Sequence, residues 1–277
     1  MKLKALILQN FRAYQEARLD IGDMTALIGK NDAGKSSILE ALEIFFNNSL
    51  VKLDSHDPHK GSGSEEVTIG CIFTDFPEEL ILDRHATTNL ADEYLLNQKG
   101  DLEIHKVFRC GNKISGPSVY VSARHPTVGR REDLLLLKNS DLKACFDELG
   151  LAAEGVDRRS NPALRRAIWQ NAGDLQLATK LISVNEADAK AIWEALQKYL
   201  PLYALFKADR PSRDEDAEVQ DPMKVAIAEA LKELQEELGE IKEIVERKVA
   251  EVARRTVAKI KEMEPNLAQQ NFIAMLS

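Results

Sequence analysis

The segment that most constrains the fold is the glycine-rich run GKNDAGKS at residues 29–36. It matches the pattern G-x-x-x-x-G-K-[ST], whose glycines permit backbone turns that point successive N–H groups at phosphate oxygens. An apolar run at residues 24–28 precedes it, and a helical pattern over residues 38–46 follows it. Because the motif requires a strand before the loop and a helix after it, the sequence predicts a phosphate-binding loop.

Two side chains carry the chemistry predicted for this loop. The Lys35 amine is placed to reach the β- and γ-phosphates of ATP, and the Ser36 hydroxyl is placed to ligate Mg²⁺. The N-terminus of the following helix adds partial positive charge. For Ser37 two interpretations stay open, support for Ser36 or an ordinary first-turn serine. The predicted nucleotide-binding residues of the loop are Gly29, Lys30, Asn31, Asp32, Ala33, Gly34, Lys35, Ser36 and Ser37.

The composition indicates a soluble globular protein. The 277 residues are 44% hydrophobic, which is enough for a sizeable core. We expect a cytoplasmic location and no membrane association, because no run of eighteen residues is apolar and residues 1–4 lead directly into an alternating strand. The net charge of −8 gives DNA binding no support and leaves only local patches, such as Arg124, Arg130 and Arg131, as candidates.

The cysteines predict neither a disulfide framework nor a zinc ribbon. Cys71, Cys110 and Cys145 are far apart and form no C-x-x-C pair. We therefore expect each of them to be a small core residue.

A histidine pair at residues 56 and 59, flanked by Asp54 and Asp57, has a spacing that a metal site can use. It lies in a polar, Gly/Ser-rich stretch over residues 54–64, which we expect to be an exposed loop. Because no further ligand is nearby, solvated side chains are favoured over a metal site.

The hydrophobic pattern divides the chain into a strand-rich first half and a helical second half. Strands are predicted at residues 3–8, 17–21, 24–28, 66–73, 102–110 and 118–122. Helices are predicted at residues 133–137, 140–149, 161–172 and 185–199. The predicted divisions are an ATP-binding lobe at 1–129, a helical insertion at 130–200, a returning strand with an acidic linker at 201–221, a long helix at 222–265 and a tail at 266–277.

The predicted long helix spans residues 222–265, which contain no proline between Pro222 and Pro265. Its apolar residues recur in steps of four and three as far as Val245, after which the seam shifts. Such a helix would be about 60 Å long at 1.5 Å per residue. Two interpretations stay open: an amphipathic helix packed along its own domain, and an antiparallel coiled-coil arm or subunit contact.

Two blocks of sequence resemble a known group of ATPases. Residues 4–12 (KALILQNFR) and 27–42 (LIGKNDAGKSSILEAL) are similar to the ABC-type ATPase heads of the SMC and RecF group, and above all to the OLD family of ATP-dependent nucleases. Looser matches lie at 45–57, 133–150 and 200–210. The resemblance implies an α/β fold, an ABC-type P-loop ATPase lobe with an N-terminal mixed β-sheet, followed by a helical subdomain and a long C-terminal helix.

The resemblance also implies roles for single residues. In such heads the arginine that matches Arg12 lies beside the nucleotide, and the residues that match Asn31 and Asp32 face the γ-phosphate and the partner subunit. For Arg12 an exposed charge at a strand end is the equal alternative. The implied partners are a second copy of the chain, contacted through the helical region, a C-terminal Toprim nuclease region or separate nuclease subunit, and DNA in the full assembly.

Several parts of an ATPase of this group are missing from the sequence. Hydrolysis requires an apolar strand that ends in Asp then Glu, for Mg²⁺ and for the attacking water. The nearest candidates, residues 79–84 and 203–210, are poor matches. No Ser-Gly-Gly-rich signature is present, Asp75 lies where many such heads carry a glutamine, and no carboxylate cluster fits two-metal nuclease chemistry. We therefore expect an N-terminal portion of a longer protein, with hydrolysis and nuclease residues outside it.

Three functions remain open at this point. The first is an ATP-binding head of an OLD-like nuclease of DNA processing or anti-phage defence, in which ATP acts as a clamp and switch. The second is a non-catalytic assembly module that nucleotide merely stabilises. The third is an SMC- or RecF-like DNA-repair head, which would bind DNA with a steep salt dependence.

Overall fold

The computed structural model describes residues 1–30, 33–47, 50–77, 80–83, 86–111, 113–127, 133–171 and 175–205. All of them belong to one unit, Met1–Lys207. The predicted acidic linker, long helix and tail lie outside the described residues, as do Asn31, Asp32, Arg130 and Arg131. The predicted domain divisions therefore stay predictions.

The described chain forms eight strands, four α-helices and two short 3₁₀ helices. The strands are β1 (Lys2–Phe11), β2 (Tyr14–Asp20), β3 (Glu66–Thr74), β4 (Leu80–Asp83), β5 (Ala86–Thr88), β6 (Leu102–Arg109), β7 (Ser118–Pro126) and β8 (Leu177–Ser183). The α-helices are α1 (Lys35–Phe46), α2 (Asn139–Glu148), α3 (Asn161–Gln170) and α4 (Lys190–Gln197), and the 3₁₀ helices are Leu134–Leu136 and Ala187–Ala189.

Six of the strands form one sheet in the order β2-β1-β3-β6-β7-β8. Every neighbouring pair in it is antiparallel. The prediction of a mixed sheet is therefore wrong for the described residues. The physical reason is the connectivity: α1 links β2 to β3, which are not neighbours, so this helix is not a crossover between adjacent parallel strands.

One face of the sheet supplies the core on which α1 packs. Leu6, Cys71, Ile104 and Val121 lie opposite one another across four strands and are fully buried. The Phe45 ring of α1 lies 6.1 Å from the Phe73 ring of β3, centroid to centroid. The helix that follows the glycine-rich loop is thus fixed on the centre of the sheet by apolar contacts.

All three cysteines are buried thiols, and none of them forms a disulfide. The prediction that they are core residues is confirmed.

The last described segment also contacts α1. The Tyr203 ring stacks on Phe46 with centroids 5.7 Å apart, and its hydroxyl donates to the Leu39 carbonyl oxygen at 2.8 Å. The Asn47 side-chain amide donates to the Tyr203 carbonyl oxygen at 2.8 Å. Residues 202–205 form no strand, so the prediction of a returning strand is wrong for these four, and residues 206–208 lie outside the described part.

Most predicted strands and helices are confirmed, and the differences are not limited to the missing strands at 24–28 and 202–205. The segment predicted as a helix at residues 133–137 is a single 3₁₀ turn, and the helix predicted at 185–199 is α4, which begins only at Lys190. Residues 177–183 form β8, which the sequence did not predict, so the predicted helical insertion contains an edge strand of the main sheet.

Lys106 on β6 holds the C-terminal end of α1. Its Nζ donates to the Phe45 carbonyl oxygen at 2.6 Å and lies 4.9 Å from the Phe45 ring centroid and 5.5 Å from that of Trp193. Burial lowers the pKa of Lys106 from 10.5 to about 8. The lysine therefore satisfies a carbonyl at the helix end while its charge is held in a poorly solvated place.

We expect the buried amine to make stability rise with pH relative to the variant Lys106→Met. Between pH about 8 and 10.5 the unfolded chain keeps a proton that the folded chain has lost, so the free energy of unfolding increases with pH across this window. Urea denaturation of both proteins from pH 7 to 10.5 measures the difference. A difference in unfolding free energy that stays constant over this range would contradict the prediction.

Candidate nucleotide-binding site

The glycine-rich loop enters α1 through a left-handed residue. Gly34 is the N-cap of the helix, with φ 85° and ψ 7°, a conformation that glycine adopts without the strain that a Cβ would add. No side chain caps this helix end, and its first turn contains no acidic residue. The N–H groups of Lys35, Ser36 and Ser37 are therefore not tied up by a capping side chain, and the partial positive charge of the helix end is not neutralised by a carboxylate of the first turn.

The Lys35 side chain turns back into the loop. Its Nζ donates to the carbonyl oxygens of Gly29 and Lys30, both at 2.6 Å. The amine therefore lies inside the curve of the loop, next to the helix end. Main-chain carbonyls hold it by hydrogen bonds, which phosphate oxygens can replace as charge-assisted acceptors.

The remaining predicted loop residues differ in solvent exposure. Ser36 is exposed in the first turn of α1, and Ser37 is half-buried. Gly29, Lys30 and Ala33 are exposed. The structure thus brings Gly29, Lys30, Gly34, Lys35 and Ser36 together at one helix end, and their role in nucleotide binding stays a prediction.

The predicted strand before the loop is absent. Residues 24–28 are irregular, and the side chains of Met24 and Ile28 are 94% and 95% exposed. A strand requires a hydrogen-bonded neighbour, and no described strand pairs with this segment because the sheet ends at β2. The apolar pattern identified residues that can form a strand, but pattern alone does not supply the partner.

Arg12 lies at the tip of the β1–β2 hairpin and binds two carboxylates. Its Nε donates to Asp57 Oδ1 at 2.7 Å, and its Nη1 donates to Glu40 of α1. Its backbone N–H donates to the Asp57 carbonyl oxygen at 2.6 Å. Arg12 therefore joins the hairpin, α1 and the following loop, and contact with a nucleotide stays a prediction for this residue.

The stretch at 54–64 is a loop in which most residues are exposed, as predicted, and the hairpin binds it through several hydrogen bonds. Asp57 is only 5% exposed. The Asn10 side-chain amide donates to the carbonyl oxygens of Ser64 and Glu66 at 2.8 and 2.6 Å, and His59 Nδ1 lies 2.8 Å from the Arg12 carbonyl oxygen. Hydrogen bonds between distant residues fixed a segment whose composition indicated only a loop.

These contacts also involve the histidine pair and its flanking aspartates. Asp57 binds Arg12 and His59 binds the main chain, so two of the four candidate ligands already have other partners. Across the described ranges, no group of three or more His, Cys, Asp or Glu side chains is arranged to hold a metal ion.

Sequence reasoning missed Tyr14 at the start of β2. Its ring lies against Gly34, and its hydroxyl is 3.4 Å from the Ala33 carbonyl oxygen. Its position two residues after Arg12 was a signal, but only the hairpin register shows that it reaches the loop.

The two candidates for an acidic strand are not supported. Residues Leu80–Asp83 form β4, which pairs with β5 in a separate two-stranded sheet, and residues 203–205 form no strand. Among the strands that the structure describes, none ends in Asp followed by Glu.

The glycine at the start of α1 and the inward-turned Lys35 side chain are features of the phosphate-loop class. A family model described as an AAA ATPase domain matches residues 1–272. The chain therefore belongs to the AAA ATPase domain family. No curated protein matches it. Within the described residues, no helix combines the length and the apolar character needed to cross a membrane.

We expect Arg12→Ala to lower the free energy of unfolding by about 2–3 kcal/mol, because it leaves the largely buried Asp57 without its charged donor. The matched control is Arg18→Ala on the same hairpin. Arg18 is 45% exposed and lies 3.5 Å from the exposed Asp20, so its removal should change stability by less than about 0.5 kcal/mol. Urea denaturation measures both, and equal effects of the two variants would show that the Arg12 contacts do not stabilise the fold.

Proposed function

We propose that this protein is the ATP-binding head of an OLD-like, ATP-dependent endonuclease that acts in DNA processing or anti-phage defence in the cytoplasm. The observation that carries the ATP site is the end of α1, where uncapped N–H groups and the Lys35 amine converge. Membership of the AAA ATPase domain family supports nucleotide as the ligand. The OLD assignment is supported by the resemblance of residues 4–12 and 27–42.

In this proposal, residues of the glycine-rich loop and of the first turn of α1 bind ATP. The N–H groups of the first turn of α1 donate to phosphate oxygens, and Lys35 exchanges the carbonyl oxygens of Gly29 and Lys30 for the β- and γ-phosphates. The Ser36 hydroxyl would ligate Mg²⁺, which would neutralise part of the phosphate charge when bound. Glycine at position 34 lets the backbone approach the phosphates closely.

The proposed output is a nucleotide-dependent assembly. ATP between two heads, with Asn31 and Asp32 facing the γ-phosphate and the partner subunit, favours the assembled over the open state. The nuclease is a C-terminal Toprim region or a separate subunit, and the acidic residues for hydrolysis also lie outside this chain. In this proposal the head is a switch that controls a cut made elsewhere on DNA.

The ATP site is tested by removal of the lysine. We expect Lys35→Ala to weaken ATP·Mg²⁺ binding by about 10- to 100-fold, the loss of one charge-assisted phosphate contact. Isothermal titration calorimetry measures it, with Lys52→Ala, an exposed loop lysine, as the matched control that binds like wild type. If wild type does not bind ATP, or if Lys35→Ala binds equally well, the proposed site is wrong.

The proposed nucleotide-dependent assembly is tested by measuring the mass of the protein in solution. We expect ATP·Mg²⁺ to raise the mass measured by light scattering for wild type, and to leave the mass of Lys35→Ala unchanged, because only bound γ-phosphate favours assembly. An oligomer that is already present without nucleotide and does not respond to it would favour the assembly-module function. Steeply salt-dependent DNA binding by the chain alone would favour the repair-head function.

A further inference from the structure

We infer that Tyr14 is a positioning residue for the nucleotide: it braces the point where the phosphate loop becomes α1 and thereby raises the affinity for ATP. The inference rests on the proposed ATP site. It adds to that site a residue outside the motif, on a different element of the fold.

The hairpin register carries Tyr14 to the loop. Tyr14 is the first residue of β2 and pairs with Phe11, the last residue of β1, across a two-residue turn. Arg12 in this turn has φ 50°, a left-handed conformation that tightens the reversal. Phe11 is fully buried, so the base of the turn is fixed in the core while the half-buried Tyr14 side chain reaches towards the loop.

The ring of Tyr14 lies directly on Gly34. A Cβ at position 34 would lie 2.8 Å from Tyr14 Oη, which is closer than real Cβ atoms come to other atoms, and 3.0 Å from Tyr14 Cε2 and Cζ, which is tighter than most real Cβ contacts. The distance from the Tyr14 hydroxyl to the Ala33 carbonyl oxygen, 3.4 Å, is long for a hydrogen bond. The hydroxyl oxygen and the edge of the aromatic ring therefore both lie against Gly34, while the hydrogen bond to Ala33 is weak.

Position 34 is glycine for two independent reasons. Its φ of 85° is strained for any residue with a Cβ, and Tyr14 occupies the space that a Cβ would fill. The same ring that excludes a side chain also limits outward movement of the Gly34 backbone. Because Gly34 precedes the first-turn N–H groups, its position fixes the direction in which they point.

The hairpin holds α1 at a second place. Arg12, two residues before Tyr14, binds Glu40, which lies six residues after Gly34 on the same helix. One rigid turn thus contacts the beginning of α1 through Tyr14 and its middle through Arg12. Two contacts of this kind fix a helix end better than one, and a preorganised set of N–H groups binds phosphate more tightly than a mobile one.

The first experiment separates bracing of the loop from ordinary packing. ATP·Mg²⁺ affinity is measured by calorimetry at a temperature where each variant is folded by circular dichroism. We expect Tyr14→Ala to weaken affinity by about five- to tenfold, while Tyr14→Phe, which keeps the ring, stays within about threefold of wild type. The matched control is Leu19→Ala, a half-buried residue of the same strand, which should lower the melting temperature without changing affinity.

Two outcomes of this experiment would overturn the inference. If Tyr14→Ala lowers the melting temperature but binds ATP like wild type, Tyr14 only packs. If Leu19→Ala weakens affinity as much as Tyr14→Ala, the effect belongs to the whole hairpin and not to the contact with Gly34.

The second experiment tests the contact without nucleotide. Gly34→Ala is made in wild type and in Tyr14→Ala, and unfolding is measured in urea. We expect the midpoint to fall less in the Tyr14→Ala background, because only the strain at φ 85° remains once the ring is gone. If Gly34→Ala lowers the urea midpoint equally in both backgrounds, the inferred contact between Tyr14 and Gly34 is wrong. If wild type fails to bind ATP, the proposed function and the nucleotide role of Tyr14 fall together, and this cycle still decides whether the brace exists.

Discussion

The left-handed turn at Gly34 is the feature on which the rest of the site depends. It converts an irregular loop into a helix at a single residue and leaves the first N–H groups of α1 without a capping side chain. A bound anion is stabilised electrostatically at a helix end of this kind. The sheet beneath holds the opposite end of α1, because Phe45 packs on Phe73 and Lys106 binds the last turn of the helix.

The β1–β2 hairpin fixes the position of the glycine-rich loop relative to the rest of the fold. Arg12 connects it to Glu40 and Asp57, and Tyr14 connects it to Gly34. These contacts join parts of the chain that are far apart in sequence, so the loop is held by tertiary structure as well as by its own glycines. At its other end α1 is covered by Tyr203. Burial and, as a smaller cause, the nearby Glu43 together raise the pKa of Tyr203 to about 12. The helix that presents the phosphate site therefore also contacts the segment that leads towards the C-terminal part of the chain.

The sequence predicted local features of the fold. Features that depend on contacts between distant residues could not be predicted from it. The glycine pattern identified the helix end with Lys35 and Ser36, and alternation identified β1, β3 and β6. The apolar residues 24–28 read as a strand, yet nothing described pairs with them and two of their side chains are almost fully exposed. The loop at 54–64 was predicted correctly, but its hydrogen bonds to Asn10 and Arg12 were not, because composition does not show contacts between distant residues. Tyr14 was missed because a contact between residues 14 and 34 leaves no periodic trace in the sequence.

The central claim is that the uncapped first turn of α1 binds the phosphates of ATP. Hydrogen–deuterium exchange of the backbone amides, read residue by residue with and without ATP·Mg²⁺, tests it most directly. We expect slower exchange at the N–H groups of Lys35, Ser36 and Ser37, because they donate to phosphate oxygens in the complex, and no comparable change at the amides of α3. Unchanged exchange at these three amides under saturating ATP·Mg²⁺, or slowing confined to another part of the chain, would contradict the account.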